Sequence, residues 1–281
     1  MGSNYTPKRV VSLQPSATVI LKALGQLEPL VACTKYCVDV CPEVRSGRIL
    51  LEDSWTARAD QITAARPDLV IAAVPYQEKA VAEILKSGAR FLGLAPKSLA
   101  DIFTDICTIA GIMGVPDRGE SVVDAMRAEI DRTHAQTEGL PQPRVFCEEW
   151  GKPLIASQRW VAELVDAAGG SFVGTPGAQC SPHDVAAQNP EVLIAAWCGA
   201  GDRVPLQKII RDRGWSGLSA VTQSRVYCVR DEFLNTPAPT LLLGLKALAA
   251  ALHPELFPRV EGLRCITDVS SETRAQNARV V

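Results

Sequence analysis

Cys33, Cys37 and Cys41 stand four residues apart, and the segment "CSPH" sets Cys180 three positions before His183. Thiols and imidazoles are ligands for zinc and softer metals, and a spacing of four would put three side chains on one helical face. Pro42 and the β-branched Val38 and Val40 argue instead that residues 35–47 form a loop. Structural zinc sites favour C-x2-C pairs, and the sequence has none. Buried, inert thiols are therefore the favoured reading. Binding of a bare metal ion through Cys37 or Cys198 and neighbouring Cys or His residues stays open as an alternative. Acyl-transfer and phosphate chemistry find little support, because neither a GxSxG elbow nor a GxxxxGK loop occurs. His134, His183 and His253 do not fall at a strand end beside a Ser or Cys. A non-enzyme is expected. The remaining alternative is an enzyme on a binding scaffold, with Lys35 or Cys37 as its reactive group.

These residues are positioned by alternating elements. The pattern predicts strands at 9–13, 30–34, 68–74 and 90–95, and helices from Pro15 to about Gly25, at 59–65 and at 77–89. A helical stretch runs from Ser98 to about 137, interrupted at 114–117. Strands then return at 144–150, 190–197 and 225–230, with helices at 159–170, 205–218 and after Thr236. Strands alternating with helices at this spacing indicate parallel α/β structure. The octapeptides "PDLVIAAV" at 67–74 and "PEVLIAAW" at 190–197 are nearly the same. Each follows an Ala-rich segment, so one unit of helix, proline turn and buried strand is used twice. The expected architecture is two Rossmann-like α/β lobes with parallel sheets, joined by a long helical backbone. The expected boundaries are 1–97 and 141–265 for the lobes, 98–140 for the linker and 266–281 for a polar tail.

Ligands of open α/β sheets lie beyond the carboxyl ends of the strands. In two facing lobes that locus is an interlobe cleft, and the residues just after each strand are the candidates. They are Gln14, Pro15, Ser16, Lys35, Tyr36, Cys37, Ser54, Trp55 and Tyr76 in the first lobe. In the second they are Trp150, Trp160, Trp197, Cys198, Phe233 and Asn235. Four of the five Trp residues fall at or near these ends, and aromatic faces offer broad contact to planar or macrocyclic ligands.

The bulk composition agrees. The 281 residues are ample for two lobes, and 47% apolar content can fill two cores. A net charge of −2 without a basic stripe makes nucleic acid a poor partner. Nine scattered cysteines argue against a disulfide framework. Residues 1–16 lack a signal-like apolar stretch and a lipobox-like Cys. A cytoplasmic monomer is expected from the sequence as it stands, or a periplasmic one if a leader has been removed.

The segments "RVVSLQPSATVILKALG", "LVACTKYC", "ITAARPDLVIAA", "RVFCEEWGKPLIASQRWVAELVDAAGG" and "RGWSGLSAVTQSRVYCVRDEFLNTPAPT" resemble the helical-backbone (class III) substrate-binding proteins of ABC importers, in particular the cobalamin-binding-like subgroup. The resemblance spans about residues 9–257 in the family's order. It implies non-catalytic binding of a corrinoid or ferric chelate between the lobes, with no cofactor required. It matches Ser54 and Trp55 to a ligand loop. It further implies docking to an ABC permease through acids near Asp60 on the first lobe and Asp184 on the second.

Overall fold

The computed structural model describes residues 5–53, 55–56, 58–73 and 78–268. The chain divides into two compact units, residues 1–127 with 237–239, and 128–236 with 240–281.

In the first unit β1 (Val10–Ser12) leads to α1 (Pro15–Ala23), which Pro15 opens and after which Gly25, at φ +65°, turns the chain. Next come β2 (Leu30–Thr34), α2 (Lys35–Val40) and a 3-10 turn at Pro42–Arg45. The expected loop at 35–47 is therefore mostly helical. The Thr34 hydroxyl accepts from the Cys37 amide and caps α2, and Pro42 only bars its continuation. β3 (Ile49–Leu51), α3 (Ala59–Ala64), β4 (Leu69–Ala73), α4 (Glu78–Lys86) and β5 (Arg90–Leu94) complete the layer. The sheet is wholly parallel in the order β3-β2-β1-β4-β5. Its central strands β1 and β4 are buried at every residue, which is why they read as unbroken apolar runs. The strand order reverses between β1 and β4. α5 (Leu99–Ile112), started by a Ser98–Asp101 capping box, and the 22-residue α6 (Pro116–Thr137) follow. The boundary between the units falls inside α6.

In the second unit β6 (Arg144–Gly151) folds back into β7 (Leu154–Ala156) as an antiparallel hairpin. Then come α7 (Arg159–Ala167), β8 (Ser171–Phe172), α8 (Pro182–Gln188), β9 (Val192–Ala195) and α9 (Leu206–Arg213). α10 (Ser219–Thr222), β10 (Val226–Val229), α11 (Glu232–Asn235), α12 (Leu241–Leu252) and β11 (Leu263–Cys265) end the described chain. The sheet order is β11-β10-β9-β6-β7, with β8 also on β6. It is mixed, because β7 pairs antiparallel with β6 and β11 with β10. Phe146 and Trp215 meet edge to face at 6.5 Å in the core of this unit.

The repeated octapeptide marks a repeated clamp. Arg66 and Asn189 precede the two prolines and both adopt left-handed backbone, at φ 46° and 41°. The acid that follows each proline then seizes the start of a neighbouring strand. Asp68 accepts from the Lys8 and Arg9 amides at 2.8 and 3.0 Å, and Glu191 accepts from the Arg144 amide at 3.0 Å. Arg9 and Arg144 complete the exchange by donating to the carbonyls of Arg66 and Asn189. The clamp places β4 beside β1 and β9 beside β6, the two pairs at which strand order reverses.

Candidate functional site

At the carboxyl end of the first sheet, Gln14 donates to the Ala73 carbonyl at 3.1 Å and ties the ends of β1 and β4. Pro15, half-buried, opens α1 beside it. Lys35 and Tyr36 form the exposed first turn of α2, with the ammonium 4.9 Å from the ring centroid. Trp55 is 47% exposed in the loop after β3. The Asp53 carboxylate holds that loop by accepting from the amides of Trp55 and Thr56. Ser54 and Tyr76 lie outside the described residues.

Two first-lobe candidates are corrected. Ser16 is buried in α1, and Cys37 has no exposed surface. Both side chains point into the lobe because their helices pack on the sheet. Cys37 sits in a pocket of hydroxyls, with Thr34 Oγ1 at 3.3 Å and Ser12 Oγ at 4.0 Å. Burial pushes its thiol up. Hydrogen bonds from Cys33, Thr18 and Thr34 outweigh that and bring it down to about 6, while the same contact with Cys37, and then burial, drive Cys33 upward. A thiol without access cannot serve as the reactive group of an enzyme on a substrate outside the lobe.

At the carboxyl end of the second sheet, Trp150 is 43% exposed, and its Nε1 donates to the Lys152 carbonyl at 2.8 Å. Trp197 leaves β9 half-buried and donates from Nε1 to Glu148 Oε1 at 2.8 Å. Glu148 is itself held by both Nη atoms of Arg213 at 2.7 Å. Beside them, Glu149 accepts from Gln158 at 2.7 Å and from the Cys198 thiol at 3.9 Å. Asn235 donates to the Ala196 carbonyl at 2.7 Å and to the Cys198 sulfur at 3.3 Å. Asp231 accepts from the amides of Gly199 and Gly201, both at 2.7 Å, and fixes the loop after Trp197. Phe233 is half-buried, with the Arg230 guanidinium 5.5 Å from its centroid. Burial raises the Glu149 carboxyl against the hydrogen bonds from Gln158 and Cys198.

Trp160 is the third correction. It is 7% exposed, and its Nε1 donates to the Leu234 carbonyl at 2.9 Å. The β6–β7 hairpin reverses the chain before α7, so this ring points into the lobe and not out of a strand end. Glu148, Gly151, Gln158 and Arg213 were missed in the sequence. The acid pair in "RVFCEEW" was their one signal: a carboxylate amid strand residues must find a partner.

Cys198 gives a direct check on this geometry. The residue is exposed, but burial of its sulfur and then the charges of Glu149 and Asp231 push the thiol up to about 12, against the hydrogen bond from Asn235. At pH 8 about one thiol in ten thousand would be thiolate, against roughly a quarter for an unperturbed cysteine. Mass-spectrometric mapping of iodoacetamide labelling should find Cys198 slow at pH 8, its rate rising about tenfold per pH unit to pH 11. A plateau near pH 9 would mean that the sulfur is neither buried nor faced by the carboxylates.

The docking candidates are both exposed, and both carboxylates have partners. Asp60 pairs with Arg58 at 2.8 Å, and Asp184 closes the capping box of α8 with Ser181. Each is held below its ordinary value, Asp60 by Arg58 and Asp184 by Ser181. Among the described residues, no group of three or more His, Cys, Asp and Glu side chains could hold a metal ion, so neither "CSPH" with Cys198 nor the Cys33 series assembles such a site. Nor is any helix among them long and apolar enough to cross a membrane.

Known proteins share this fold. The chain is 22% identical to an uncharacterised ABC transporter substrate-binding lipoprotein, YvrC, of Bacillus subtilis, over 89% of this chain and 82% of the relative. It is 25% identical to the vitamin B12-binding protein of Vibrio parahaemolyticus, over 85% and 87%. A periplasmic heme-binding protein from Pseudomonas aeruginosa shares the fold at a TM-score of 0.81 and 20% identity, with 92% of this chain and 98% of that one covered. The model of the periplasmic binding protein family matches residues 10–232, and the chain belongs to that family.

Proposed function

We propose that this protein is the ligand-binding component of an ABC importer and carries a corrinoid or a related metal chelate without transforming it. The observation that carries the reading is the exposure of large aromatic side chains where soluble proteins usually bury them. Tyr36, Trp55 and Trp150 are 40%, 47% and 43% exposed, and each stands at the carboxyl end of a strand or in the residues just after it. Broad rings suit a macrocycle, whose contact area is large and whose charge is small. The proposal has the loop sets of both lobes grip one ligand, as the family resemblance implies, with Gln14, Pro15, Lys35, Tyr36, Ser54, Trp55, Tyr76, Trp150, Trp197, Cys198, Phe233 and Asn235 as its surroundings. Asp60 and Asp184 would face basic residues of a permease. The relatives named as vitamin B12-binding protein and substrate-binding lipoprotein support this reading, and with it a site of action outside the cytoplasmic membrane.

Aquocobalamin, haemin and a ferric siderophore are all coloured, so absorption titration and equilibrium dialysis test the proposal directly. One of them should bind one-to-one, with a shifted visible spectrum. Binding of none of the three, with uptake of a bare divalent ion instead, would overturn it in favour of the metal-ion alternative.

A further inference from the structure

The proposed function makes Trp197 a contact surface for the ligand, and three residues around it have no part in that contact. Glu148 is 3% exposed in the middle of a core-facing strand, and burying a carboxylate is costly unless it is fully paired. It is paired on every side: Arg213 Nη1 to Oε2 and Nη2 to Oε1, both at 2.7 Å, and the Trp197 indole N–H to Oε1 at 2.8 Å. Arg213 is fixed in turn. Its guanidinium lies 4.8 Å from the Trp215 ring centroid and donates to the Gly151 carbonyl at 3.3 Å. The ring of Trp197 then rests on Gly151. A Cβ there would fall 2.3 Å from Cζ2, 2.7 Å from Cη2 and 2.8 Å from Cε2 of that ring. No side chain fits at these distances, so any residue but glycine moves the indole.

We infer that Glu148, Arg213 and Gly151 are positioning residues that lock the Trp197 ring in one orientation before ligand arrives. The inference rests on the reading of Trp197 as a ligand contact. The ion pair supplies a fixed acceptor for the indole N–H, and the glycine supplies the flat floor under the ring. A ring held this way loses little freedom when a ligand meets it, and preorganisation of that kind raises affinity without adding a contact. It also gives a reason for an ion pair buried at a cost that apolar residues would avoid.

The test uses the whole protein, with aquocobalamin and haemin as probes, and begins without either. In a proton–nitrogen correlation spectrum of protein labelled with 15N at its tryptophans, Gly151→Ala should shift the Trp197 indole signal and leave those of Trp55 and Trp160 in place. Affinity for whichever probe binds should fall roughly tenfold in Gly151→Ala, and not fall further when Gly151→Ala is added to Trp197→Ala. Equal losses in both backgrounds, or an unmoved Trp197 signal, would overturn the inference. Should Gly151→Ala fail to fold, Arg213→Lys gives the same cycle, since it keeps the charge and loses the two-pronged contact. Loss of affinity in Gly151→Ala but none in Trp197→Ala would sink the ligand role of Trp197. Failure of both probes and of a ferric siderophore to bind wild-type protein counts against the proposed function, and the indole spectrum still decides whether the ring is locked.

Discussion

Replacing Trp160 with Ala should cost about 3–5 kcal/mol of stability and leave ligand affinity in the folded protein unchanged. The ring is 7% exposed among the side chains of the second lobe, so its removal leaves a cavity that the sheet above and α12 cannot close. The loss includes a hydrogen bond as well, because the Leu234 carbonyl would keep no donor from this side. Denaturant titration followed by circular dichroism measures the first effect, and dialysis against the coloured ligand measures the second. A mild loss of stability with a large loss of affinity would return Trp160 to the ligand site.

Trp55→Ala should behave in the opposite way. The ring is 47% exposed, and the loop that carries it is held by Asp53 through backbone amides that survive the substitution. Stability should change by no more than about 0.5 kcal/mol. Covering a large aromatic face by a ligand contributes roughly 1.5–3 kcal/mol by area. Affinity should therefore drop about ten- to a hundredfold. Unchanged affinity would remove Trp55 from the proposed ligand surroundings.

This contrast between two tryptophans separates what is legible in the sequence from what is not. Both stand near expected strand ends; Trp160 opens the helix expected at 159–170 and Trp55 lies in a loop between Ser54 and Thr56, and neither pattern states which ring is buried. The difference is the turn at Gly151–Leu154. A hairpin reverses β7 and so redirects everything that follows, whereas β3 runs parallel to β2 and Trp55 beyond its carboxyl end is exposed. The cysteine series shows the same limit. The spacing of Cys33, Cys37 and Cys41 is visible at once, but Cys33 is buried on β2, Cys37 in α2 and Cys41 at the end of α2, so the three do not share one helical face. Pro42 was read as a loop signal, and it acts only as the stop.

By itself the sequence determined the two α/β lobes, the helical run between them and the paired proline turns. These follow from periods of two and 3.6 and from proline and glycine stops, all of which act within a few residues. The clamp of Arg9 and Asp68, and its counterpart of Arg144 and Glu191, is prefigured there as a repeat, although its hydrogen bonds join residues 59 and 47 positions apart. Only the tertiary structure decided which aromatic rings are open and what holds them. Glu148 meets its partner Arg213 65 positions later, across β9 and α9, and Trp197 comes to rest on Gly151 because strand order sets β9 beside β6. Burial and pairing depend on neighbours in space, and strand order, which no local pattern specifies, chooses those neighbours.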